Sequence, residues 1–164
     1  MDCLKDCLDM FATGVRLDFE YSGKIRPVFA CLQNGEVKTY TLKIDSQIDK
    51  ENFINYVREK IFYENIKEYI LVFEINLKNK ENNTFNELKN WIFSKTKFQT
   101  LENDSNVVVV QYCGEDQEIF YIARAVTNRH LLGKWEIINT QYETQNMKNR
   151  CKELLEKSVF EPSL

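Results

Sequence analysis

Glycine and proline are scarce, with five and two in 164 residues, so the backbone cradles that hold phosphates have little to be made from. No phosphate loop, dinucleotide fingerprint, Gly-x-Ser-x-Gly elbow or His-Glu-x-x-His helix occurs. His130 is the single histidine, so no paired-histidine metal motif exists. No apolar run approaches the ~18 residues that span a bilayer. The five cysteines are an odd number without a tight framework, and the amino terminus carries no basic-then-apolar signal. A soluble protein of a reducing, cytoplasmic setting is expected.

Excess charge is also missing. A net charge of -3 from 22 basic and 25 acidic residues gives no field to gather nucleic-acid phosphates, so general nucleic-acid binding is not expected. What is present is apolar surface: 43% of residues are hydrophobic and 13% aromatic, enough for one packed domain at this length.

The densest strand-forming stretch is 106–138, NVVVVQYCGEDQEIFYIARAVTNRHLLGKWEII. It predicts a strand from Asn106 to Cys113, a turn over Gly114, Glu115, Asp116 and Gln117, and a strand from about Glu118 to Val126. A connection then holds Asn128, Arg129 and His130, and a strand follows around Lys134 to Ile138. Pairing across the turn sets Tyr112 by Ile119, Val110 by Tyr121, Gln111 by Phe120 and Val109 by Ile122, a hairpin apolar on both faces and therefore central.

Upstream, Asn34 and Gly35 favour a two-residue hairpin turn that pairs Leu32 with Val37, Cys31 with Lys38, Ala30 with Thr39, Phe29 with Tyr40 and Val28 with Thr41. Residues 2–12 have helical spacing, with Asp2 as cap. After Gly14 the alternation of Leu17, Phe19 and Tyr21 predicts an extended segment or edge strand. Asp49 caps a helix whose stripe is Phe53, Val57 and Ile61, with Arg58 on its polar side. The run 69–77, YILVFEINL, predicts a buried strand. Thr84 and Glu87 mark a helix to about Lys95, and Thr140 and Glu143 a terminal helix with Met147, Cys151, Leu154 and Leu155. The sum is one α+β domain over 1–164: a mostly antiparallel sheet of about six strands with helices packed on it.

The order RPVFACLQNGEVKTYTL, KENFINYVREKI, YILVFEINL, VVVVQYCGEDQEIFYIARAV and GKWEI resembles that of short uncharacterised bacterial proteins. The likeness implies a single intact domain and carries no reaction or site.

Chemistry has few candidates. Cys3 and Cys7 lack a second ligand pair for zinc, and ten extended residues put Cys113 roughly 30 Å from His130, too far for a nucleophilic pair. Glu115 and Asp116 read as a solvated turn. Glu74, a carboxylate in an apolar strand, is a candidate base or ligand anchor if it faces Arg124, Arg129 or His130, and Trp135 is a candidate stacking surface. The expected function is a non-catalytic binding or regulatory module that recognises a protein partner or self-associates, with no cofactor, metal or membrane. A toxin-neutralising or defence role is one example. The alternative is a small hydrolase or ligand-transferring enzyme using Glu74 with Arg124 and His130.

Overall fold

The computed structural model describes residues 4–41, 47–76 and 106–141. A 3-10 turn at Leu4–Cys7 leads into α1 (Leu8–Ser22); β1 (Val28–Gln33), β2 (Glu36–Thr41), α2 (Gln47–Tyr63) and β3 (Tyr69–Asn76) follow. After them come β4 (Asn106–Cys113), β5 (Gln117–Val126), β6 (Leu131–Leu132) and β7 (Glu136–Gln141). The protein is an α+β domain. Among the described residues seven strands occupy six positions in the order β2-β1-β3-β4-β5, with β6 and β7 both along the far side of β5. Every pairing is antiparallel.

The turn chemistry sets both hairpins. Asn34 and Gly35 both take positive φ, 52° and 80°, the conformation that matches strand twist, and the register runs from Gln33 opposite Glu36 to Val28 opposite Thr41. The β4–β5 register likewise places Tyr112 opposite Ile119 and Val109 opposite Ile122.

Side chains alternate across the sheet and make two cores. On one face Phe53, Val57 and Ile61 of α2 pack on Phe29, Leu71, Val109 and Phe120. On the other, Leu8, Val15 and Phe19 of α1 pack on Ala30, Val72, Val110 and Ala123. The sheet is therefore the middle of three layers.

Four expectations are corrected. The segment after Gly14 is not a strand, because α1 continues to Ser22 and ends at Gly23, whose left-handed φ of 71° lets its N–H donate to Phe19 O at 2.7 Å. The helix α2 begins at Gln47, so Asp49 lies inside it and not at its cap, and Arg58 is buried, at 3% exposure. The strand expected around Lys134 to Ile138 is Glu136–Gln141, and a two-residue strand, Leu131–Leu132, precedes it in the connection. Thr140 does not cap a helix, since it lies in β7 opposite Glu118. The first turn of the chain is held by Glu68, whose Oε1 accepts from the N–H groups of Leu4 at 2.8 Å and Lys5 at 3.3 Å. Asp2, the helix from Thr84 and the terminal helix lie outside the described residues.

Candidate functional site

The corner that holds His130 is built by a break in the outer strand. Leu132 pairs with Ala125 and Glu136 with Ile122, so three residues, 133–135, stand opposite two, 123 and 124. This is a bulge, and it re-aims the chain. Gly133 N–H donates to Arg124 O at 2.7 Å. From above, Arg16 of α1 donates through Nη1 to Leu132 O and through Nη2 to Gly133 O, both at 2.6 Å, and its guanidinium lies 5.2 Å from the Trp135 ring centroid. Trp135 also packs against Tyr121, 6.2 Å between centroids. Trp135 is thus half-buried beneath the helix as part of the clamp.

His130 has a left-handed φ of 51°, a region where histidine is enriched, and its ring covers the end of α1. A Cβ on Gly23 would sit 2.6 Å from His130 Cδ2. Arg129 is exposed at the tip of the same loop.

Register decides the remaining candidates. Glu74 pairs with Val108, in the α1-side core, while Arg124 pairs with Val107, in the α2-side core. Their side chains leave opposite faces of the sheet. Three strand steps also separate Glu74 from the β6 position, roughly 14 Å at ~4.8 Å per strand. Glu74, Arg124 and His130 do not converge on one pocket. Arg124 Nε is buried without a hydrogen-bond partner among the described residues.

A second cluster, invisible in the linear order, joins α2 to β2. Lys60 Nζ lies 2.7 Å from Glu64 Oε2 and 4.3 Å from the Tyr40 ring centroid, and Tyr40 and Tyr56 meet edge-on at 6.1 Å. A shallow hollow of about 270 Å³ is lined by Tyr56, Glu59, Lys60, Tyr63 and Glu64. The Glu64 hydrogen bond holds the Lys60 ammonium above its ordinary range, and Lys60 in turn holds the Glu64 carboxyl below its own. Such a lysine stays charged at neutral pH and is a poor nucleophile. The nearby Cys31 thiol is pushed up by burial, which disfavours the reactive thiolate.

Of two further polar contacts, the first is buried in the sheet and the second is half-buried at its end. Gln111 Nε2 donates to Glu118 Oε2 at 3.1 Å on the α2 side, and Tyr112 Oη donates to Glu68 Oε1 at 3.1 Å at the end of the sheet. Among the described residues no three histidine, cysteine, aspartate or glutamate side chains are grouped to hold a metal ion. No helix among them is long and apolar enough to cross a membrane.

One surface departs from the usual pattern of a solvent-facing helix. Helix α1 buries Leu8, Ala12, Val15 and Phe19, yet Met10, Leu17 and Tyr21 are 63%, 61% and 90% exposed. At 100° per residue positions 10, 14, 17 and 21 fall on one ridge, opposite the buried stripe. Gly14 lies in that ridge with open space where a side chain would be. Asp18 and Glu20 flank it and are exposed, Asp6 is exposed at its start, and Arg16 is turned away to the bulge. The ridge is apolar with acidic margins.

Protein-family models, curated proteins and solved structures give no match to this chain. The chemistry of its own surface is what points to a role.

Proposed function

We propose that this chain is a non-catalytic binding module of a reducing, cytoplasmic setting, and that it recognises a protein partner through the outer ridge of α1. The observation that carries the reading is the second apolar face of α1, Met10, Leu17 and Tyr21, left exposed opposite the face that packs on the sheet. Contiguous apolar surface with a polar margin is the ordinary mark of a docking site. Acidic margins fit a partner segment that is apolar along one stripe and basic beside it, and they oppose self-pairing of this ridge, which would bring Asp18 and Glu20 against their own copies. Blocking a basic partner, as a neutralising protein does, is one use of such a face. The buried free thiols of Cys7, Cys31 and Cys113 support the reducing setting.

Paired baits test this. Wild-type chain and Leu17→Asp are used to capture proteins from the same native lysate. A protein held by the first, released as salt screens its basic side, and missing from the second is the expected result. Identical captures by the two baits would remove the ridge from the account.

A further inference from the structure

We propose that the β2 edge is a homodimer interface, at which β2 pairs antiparallel with β2 of a second copy and joins two sheets into one. This rests on a different surface from the α1 ridge and is independent of it. The strand is a six-residue edge paired to β1 without a bulge, and Glu36, Val37, Lys38, Thr39 and Thr41 are all exposed.

Register identifies the groups available for pairing. A two-residue turn makes Gln33 and Glu36 a hydrogen-bonded pair, so Cys31 with Lys38 and Phe29 with Tyr40 are hydrogen-bonded pairs as well. Val37, Thr39 and Thr41 then direct their N–H and C=O groups outward. A two-fold axis at Thr39 uses all three: Thr39 meets Thr39 of the second copy, and Val37 meets Thr41. The same axis sets Lys38 opposite Tyr40 of the second copy on the α2 face. An axis one residue earlier would set Lys38 against its own copy, a like-charge pair that opposes that register.

Helix α2 runs beside this edge and supplies a second contact layer. Its exposed Tyr56, 6.1 Å from the Tyr40 ring, and Tyr63 lie with Glu59, Lys60 and Glu64 around the shallow hollow. Both signs of charge are present here, so two copies of this side attract as readily as they repel. The α1 ridge, flanked by Asp18 and Glu20, lacks that self-complementarity. A second copy is therefore the occupant that fits the β2 edge.

Sedimentation of the full chain over a range of concentration tests the proposal. The expected result is a shift toward twice the 19.5 kDa chain mass as concentration rises. Thr39→Pro removes an outward N–H that makes no bond to β1 and blocks the dyad, and Thr39→Lys places like charges there. Either substitution is expected to raise the midpoint concentration by tenfold or more while the far-ultraviolet spectrum is kept; if the proline variant fails to fold, the lysine variant decides. A chain that stays monomeric to about 1 mM, or a dimer that both folded variants retain, overturns the proposal.

Discussion

The two edges of the sheet are finished in different ways. At the β6–β7 edge a bulge bends the strand, Arg16 grips two of its carbonyls, Trp135 lies under the guanidinium, and His130 covers the end of α1. At the β2 edge the register runs without a bulge and the strand is largely exposed, and among the described residues the helical side chains Tyr56 and Lys60 meet it at Tyr40. An exposed edge is a template for another strand, and bulges, covering side chains and edge charges are the usual protections; β2 carries the charges Glu36 and Lys38. One edge belongs to the fold, and the other is the one proposed to pair with a second copy.

The contrast is broken most strongly at Arg16. Arg16→Met keeps an apolar stem but loses two charge-assisted hydrogen bonds, and is expected to cost about 2–3 kcal/mol in urea unfolding. A loss under about 0.5 kcal/mol would mean that the bulge holds itself. Next is Gly23→Ala, which forces a side chain into a left-handed backbone and toward the His130 ring. It is expected to cost about 1–2 kcal/mol, less in a His130→Ala background, because there only the backbone strain is left. Additive costs would remove His130 from the corner.

Tyr121 sharpens the comparison through pH. It lies on β5 and donates a hydrogen bond to Asp9 of α1; burial first, and that bond second, push its pKa up to about 12 from 10. The folded chain holds this proton more tightly than the unfolded chain does. Its contribution is whole below pH 10 and is lost as pH rises from 10 through 12. Urea midpoints of Tyr121→Phe should therefore fall less steeply than wild type over that window; parallel curves would show that folding does not tighten the hold on the Tyr121 proton. The smallest effect belongs to the open side. Lys60→Met loses a surface ion pair and a ring contact, and is expected to change stability by only about 0.5 kcal/mol.

The parts of the fold legible in the sequence are those fixed by local chemistry. Asn34 and Gly35 dictate one register and the turn at Gly114–Gln117 another, and the Phe53, Val57, Ile61 stripe marks the buried side of α2. What was not legible depends on distant contacts. Arg16 meets carbonyls 116 and 117 residues away, and Glu68 holds a turn 64 residues away. The condition on Glu74, that it face Arg124, is missed by one residue of register: neighbours Val108 and Val107 face opposite ways, and no short turn between β3 and β4 announces which of them stands beside Glu74. The extended segment or edge strand expected after Gly14 fails for its own physical cause. Leu17 and Tyr21 imitate a strand's alternation with Phe19 because α1 is apolar on two sides, Phe19 inward and the other two outward. The feature that disguised the helix is the one proposed to bind.

Helix α1 thus closes one edge with its inner side and, under the proposed function, receives a partner on its outer side. Residue-resolved amide NMR with a synthetic lysine-rich amphipathic helix tests that most directly. Salt-sensitive shifts are predicted at Met10, Leu17, Tyr21 and their neighbours, and are predicted to vanish in Leu17→Asp. No shifts on α1, or shifts centred on Glu74, Arg129 and His130, would contradict it.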